Sequence, residues 1–110
     1  MAYDEALADR VRDAFDNRPY VVEKKMFGGL GWMVHGNMAV AALGGGDMMV
    51  RVAKEDGEAF VQEPGAELMV MRGRAMSGWI HLDEQVHESG PELQKWVERG
   101  LAYALTLPEK

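Results

Sequence analysis

Leu30-Gly31-Trp32-Met33-Val34-His35-Gly36-Asn37-Met38-Ala39-Val40 is the stretch from which the architecture follows. Leu30, Trp32 and Val34 alternate with Gly31, Met33 and His35, the period of a strand with one buried face. Gly36-Asn37 predicts a two-residue hairpin turn flanked by His35 and Met38, and Met38 to Leu43 returns as the partner strand. Upstream, Lys24-Lys25-Met26-Phe27-Gly28-Gly29 closes a strand that begins at Tyr20, and its glycine step marks a place where strands meet or bulge. Downstream, Gly44-Gly45-Gly46-Asp47 reads as a flexible turn, after which Met48, Val50 and Val52 alternate with Met49 and Arg51. The sum is an antiparallel meander.

Helices bracket it. Tyr3, Leu7, Val11 and Phe15 recur at steps of four, which predicts an amphipathic helix over residues 3–17 that ends at Asn17-Arg18-Pro19. Lys54 to Gln62 reads as a short helix with Ala59, Phe60 and Val61 as its apolar part, stopped by Pro64-Gly65. Leu68 to Met71 is a strand, Gly73 to Gly78 a loop, and Trp79 to Leu82 a strand with Trp79 and His81 on one face. Ser89 with Glu92 three residues later fits a capping box. It opens a last helix whose apolar face is Leu93, Trp96, Val97, Leu101, Ala104 and Leu105, ended by Pro108. The fold class is therefore α+β, an antiparallel sheet with N-terminal, middle and C-terminal helices in the order α-β(3-4)-α-β(2)-α.

Residues 1–110 make one domain by length. The chain has no cysteine, which excludes disulfides, thiol nucleophiles and Cys-based metal sites. The acids and bases within Met1 to Arg18 are unlike a signal peptide, and no apolar run is long enough to span a membrane, so a cytoplasmic location is expected. The net charge is −6, which disfavours nucleic acid as a partner. Residues 83–110 hold six acids and three bases, whereas residues 21–82 are near neutral with seven acids and six bases. A local positive patch in that middle region is thus compatible with the acidic whole.

The usual chemistries are weighed in turn. Neither glycine cluster precedes Lys-Ser/Thr or opens a helix, so turn chemistry outweighs phosphate cradling. His35, His81 and His87, with the carboxylates of His81-Leu82-Asp83-Glu84-Gln85-Val86-His87, could ligate a metal, but their spacing fits no helical pair and surface histidines are the simpler account. Ser77 lacks a nucleophile elbow. No catalytic residue, metal or cofactor is assigned. Nine methionines are many for this length. About two thirds are read as core filling, the rest as an outward Met/Trp face for protein association. Lys24, Lys25, Arg51, Arg72, Arg74 and Trp79 are the candidate binding residues, either as an anion or partner contact or as a solvated rim of ion pairs.

Several pieces together carry a resemblance: Lys24-Lys25-Met26-Phe27-Gly28-Gly29, Gly36-Asn37-Met38-Ala39-Val40, Met49-Val50-Arg51-Val52, Arg72-Gly73-Arg74-Ala75-Met76-Ser77-Gly78-Trp79 and Trp96-Val97-Glu98-Arg99-Gly100-Leu101-Ala102, with Leu107-Pro108 at the end. In order and spacing the chain resembles the N-terminal domain of the TfoX/Sxy family of bacterial competence regulators. The resemblance implies a secretion-chaperone-like α+β fold and a link to regulation of natural transformation. It supplies no catalytic residues. Full-length regulators of that family look like two-domain proteins, of which this chain corresponds to the first. The expected function is a small non-enzymatic regulatory or protein-binding module, with a protein partner or a homodimer as its contact. A small-ligand or anion-binding protein or an enzyme using the Lys/Arg/Trp patch, and weak nucleic-acid association, are the alternatives.

Overall fold

The computed structural model describes residues 3–16, 18–26 and 28–109, with Met26 described by its backbone alone. Asn17 and Phe27, read above as part of a helix end and as a strand end, and the side chain of Met26 lie outside the described residues.

Asp4 caps the first helix. Its Oδ1 accepts from the backbone N–H of Ala6 at 2.8 Å and of Leu7 at 3.2 Å, satisfying donors that have no partner within the helix. The helix, α1, runs Glu5–Phe15 and ends on Asp16 in the left-handed region, φ 55°. Leu7, Ala8, Val11, Ala14 and Phe15 are its buried side. Tyr3 lies outside the helix and makes an isolated bridge to Gly44.

Four strands follow, β1 Val21–Met26, β2 Gly29–Val34, β3 Asn37–Ala42 and β4 Met48–Arg51, then α2 Lys54–Phe60, β5 Ala66–Met71, β6 Arg74–Leu82, α3 Glu84–His87 and α4 Gly90–Thr106. They form a six-stranded sheet of order β1-β2-β3-β4-β6-β5, antiparallel at every pairing. The α+β expectation holds, and the element order matches apart from α3, a four-residue helix with no periodic signal of its own.

Two turns differ from the reading. The β2–β3 turn is His35-Gly36, with φ 51° and 83°, one residue earlier than Gly36-Asn37. Two successive positive φ angles suit the right-handed twist of a hairpin. Asn37 instead begins β3, is buried, and donates from Nδ2 to the Pro108 carbonyl at 2.9 Å. That bond ties the end of the chain to the hairpin. The second correction concerns residues 73–78, read as a loop. Residues 74–78 are strand: β6 starts at Arg74, after a tight turn at Arg72-Gly73 with φ 54° and 77°.

One sheet face forms the core. Leu30, Trp32, Val34, Val40, Met48, Val50, Ile80 and Leu82 point to it and are at most 3 % exposed. Phe15 of α1 stacks on Trp32 at 6.4 Å, and Trp96 of α4 meets Phe60 edge-on at 5.7 Å. Ser89 caps α4 through its Oγ at 3.4 Å from Glu92 N. Leu93, Trp96, Val97, Gly100, Leu101 and Ala104 are the buried side of α4, while Leu105, expected there, is 47 % exposed. No helix among the described residues is long and apolar enough to cross a membrane.

Ion pairs pin helices to their surroundings. Arg12 of α1 holds both oxygens of Glu23 on β1, and Glu63 after α2 receives Lys95 at 2.7 Å and Arg99 at 2.8 Å from α4. The hydrogen bond from Arg12 keeps the Glu23 carboxyl below its ordinary value of 4.5. Burial pushes Glu63 up, but the hydrogen bonds and charges of Lys95 and Arg99 outweigh it, so Glu63 is also lowered. Both carboxyls bind protons less readily when folded, so their contribution is complete above the ordinary value and fades as pH falls through the lowered ones. The midpoint of urea unfolding should therefore drop as pH falls through and below the ordinary carboxylate value, and Glu63→Gln should flatten that slope. A slope unchanged by this substitution would show that Glu63 is not among the groups responsible.

Candidate functional site

Strand alternation turns half of the sheet away from the helices, and every helix packs on the other side. α1 meets Trp32, α4 meets Val40, α2 meets Ile80 through Gly57, and α3 places Val86 in the same core. Among the described residues, no helix packs on the middle of the far face, yet its central positions Gly31 and Ala41 are themselves buried, Ala41 to 2 % exposure, so what the face offers is the larger side chains around them. Its centre is a single row across all six strands, given by the pairing registers: Lys24 on β1, Gly31 on β2, Ala41 on β3, Met49 on β4, His81 on β6 and Glu67 on β5. The row begins with a cation, crosses small and apolar residues, and ends with an imidazole and a carboxylate. At about 4.8 Å per strand the two ends are roughly 24 Å apart.

The sequence-derived residues distribute over this frame unevenly. Lys24 lies on the uncovered face. Lys25, one residue on, points to the helix side together with Glu23. Arg51 and Trp79 are brought together as a register pair, with the guanidinium 5.0 Å from the indole ring and 5.6 Å from the ring of Tyr103 on α4. Arg72 is in the β5–β6 turn and Arg74 opens β6, both exposed. Three strands separate β1 from β6. The six residues do not line one pocket, because the lysines stand near the edge opposite the arginines.

The methionines resolve differently from their expected split. Among the described residues only Met48 is fully buried. Met33, Met38, Met49, Met69 and Met76 are half-buried, and Met71 is 49 % exposed. Full burial in the core thus accounts for fewer of the described methionines than the expected two thirds. The histidines also depart from a common surface role. His35 is exposed in its turn, with Tyr20 5.4 Å away. His81 is partly buried and pairs through Nε2 with Asp47 at 3.0 Å. His87 is buried, 4 % exposed. Its Nε2 faces the Gly46 carbonyl and so carries the proton, and its own carbonyl accepts from Arg10. His87 clamps the β3–β4 turn to α3 and α1, a role that needs burial and leaves no reactive face.

Sequence reasoning missed a second cationic cluster. Arg99 lies 3.9 Å over Phe60 and 4.5 Å over Trp96 while bound to Glu63, beside a groove of about 350 Å³ lined by Val52, Asp56 and Tyr103. Its charge is committed within the chain, which makes the groove a weak anion site. The signal was present as Trp96 and Arg99 three residues apart on one helix, but Phe60 comes from α2 and is found only by folding.

A family model for the TfoX N-terminal domain matches residues 13–104, from within α1 to the last turns of α4. The chain belongs to the TfoX N-terminal domain family. Comparison with curated proteins gives no match. The TfoX N-terminal domain match spans the whole sheet, including the Arg51–Trp79 pair and the six-residue row. The TfoX N-terminal domain is not a known enzyme family.

Proposed function

We propose that this TfoX N-terminal domain protein is a non-enzymatic association module that works through its uncovered sheet face, and that the face pairs with a second copy of the chain. The observation that carries the reading is the row Lys24-Gly31-Ala41-Met49-His81-Glu67. A twofold axis lying between two facing sheets, along the strands, reverses the row in the second copy. Lys24 of each copy then sits over Glu67 of the other, and the half-buried Met49 of each copy lies between these charged ends. An isologous contact of this kind needs the self-complementary charge order that the row has.

Size sets the strength. A face about 24 Å wide and about 20 Å along the strands gives roughly 500 Å² per copy. The total is near the lower bound for a specific interface, about 1,000 Å², so the dimer forms weakly and depends on concentration. Met49 favours such a contact because a thioether side chain adapts to an opposing surface. A regulatory protein built this way switches by exchanging partners on one face.

The test is light scattering across a concentration series in chelator-treated buffer. Lys24→Glu alone and Glu67→Lys alone should each give monomer, and an equal mixture of the two should recover the dimer mass. A strict monomer at about 1 mM for the unaltered chain, far above the dissociation constant such a contact needs, would overturn the reading. So would single reversals that leave the mass unchanged.

A further inference from the structure

The acidic end of the uncovered face is more than the end of a row. Glu67 and His81 are register partners on β5 and β6, and Asp83 follows β6 by one residue. One ligand atom from each of Glu67, His81 and Asp83 lies within 4.8 Å of the other two. We infer that these three residues form a site for a first-row divalent transition-metal ion, with zinc as the best match.

The imidazole gives the site its direction. Asp47 lies 3.0 Å from His81 Nε2, so that nitrogen is engaged as a donor. Nδ1 is then the nitrogen with the free lone pair in the neutral ring, and it is the one turned to Asp83, with Oδ1 4.0 Å away. A carboxylate outside the ligand set that takes the other ring N–H is the recurrent support of a metal-bound histidine, since it fixes the tautomer and raises ligand basicity. Asp47 stands on the segment between β3 and β4, apart from the three donors in sequence and in element.

The backbones that carry the donors are held before any ion arrives. Glu67 and His81 are fixed by strand pairing, and the Asp83 backbone N–H donates to the Gly65 carbonyl at 3.1 Å. Among the described residues, no lysine or arginine forms an ion pair with Asp47, Glu67 or Asp83, whereas Glu23 and Glu92 each have one such partner and Glu63 has two. Three carboxylates around one imidazole with no basic side chain among them leave negative charge for a cation to neutralise. One nitrogen and two oxygens suit zinc or manganese, which accept imidazole, better than magnesium or calcium, which prefer oxygen alone. Bonds of about 2.0–2.2 Å require the three groups to close in slightly, a rotamer adjustment for exposed carboxylates. Three protein ligands leave an outer coordination position for water or for a donor from a partner.

Isothermal titration of the 110-residue chain with zinc chloride, manganese chloride and magnesium chloride tests the site. One zinc per chain is expected, with weaker manganese and no measurable magnesium. His81→Ala should remove the binding, Glu67→Gln should weaken it at least about tenfold, and Asp47→Asn should weaken it by about 10–100-fold. His35→Ala should leave it unchanged, which separates this site from surface histidine binding. Circular dichroism checks that each variant is folded, and the His81 imidazole signals in nitrogen-resolved NMR should move on zinc addition while those of His87 stay. Lys24→Glu, which removes the partner's cation from Glu67 in the proposed dimer, should keep or raise the zinc affinity, because all three ligands come from one chain. No zinc uptake at about 1 mM, or uptake that survives His81→Ala, would overturn the inference.

Discussion

Trp96→Ala should lower the free energy of unfolding by about 3–5 kcal/mol. Trp96 is 1 % exposed and is among the largest fully buried side chains of the core. It joins three elements. Its ring meets Phe60 of α2 edge-on, takes the Arg99 guanidinium at 4.5 Å, and sits on the side of α4 that faces the sheet. Truncation leaves a cavity that the paired strands beneath cannot collapse to fill, so the transfer loss and the cavity loss add. It also strips the aromatic surface on which Arg99 rests. Urea unfolding followed by circular dichroism measures the change. A midpoint equal to that of the unaltered chain would mean that α4 does not pack through Trp96.

Gly100→Val should be comparably severe, for the opposite reason. A Cβ placed at Gly100 would stand 2.5 Å from the Ala39 carbonyl oxygen and 3.0 Å from Val40 Cγ1. The nearer atom is backbone in β3, so no side chain can rotate away. The helix must lift from the sheet, and Leu93, Trp96, Val97 and Leu101 lift with it. Overfilling of this kind costs about 3 kcal/mol or more when a branched side chain is forced against backbone. Gly100→Ala should cost less, because alanine recovers about 1 kcal/mol of helix propensity. An order of stability with glycine highest, then alanine, then valine is the expected result in thermal melts. A valine variant as stable as the original would show that α4 does not approach β3 this closely.

Much of the fold was legible because its signals are local. The α1 stripe, the Ser89 start of α4 and the alternation in β2 and β4 each depend on neighbours within a few residues. What escaped depends on distance along the chain. Gly36-Asn37 is a strong turn dipeptide, yet Asn37 is claimed by the Pro108 carbonyl, and that bond spans most of the sequence. Residues 73–78 look like a loop by composition, but pairing of Arg74, Ala75 and Met76 with β5 draws residues 74–78 into a strand that tolerates Gly78 at φ 84°. The opposite fates of Lys24 and Lys25 follow from strand period, which was readable. The alignment of Lys24 with Glu67 was not, because β6 inserts between β4 and β5 and no local pattern announces that order. His81 was visible as a possible ligand, while its partners Glu67 and Asp47 are brought to it only by the pairing of distant strands.

The outermost position of β5 has a consequence of its own. Its residues run Ala66-Glu67-Leu68-Met69-Val70-Met71, with Val70 59 % exposed, and one side of its backbone has no neighbouring strand. A border this apolar, guarded by a single acid, is a ready template for chain-upon-chain growth at high concentration. The β1 border, carrying Glu23, Lys24 and Lys25, is protected by charge. Any filament this protein forms on storage should therefore start from the β5 side, and a lysine at Val70 is the natural gatekeeper against it.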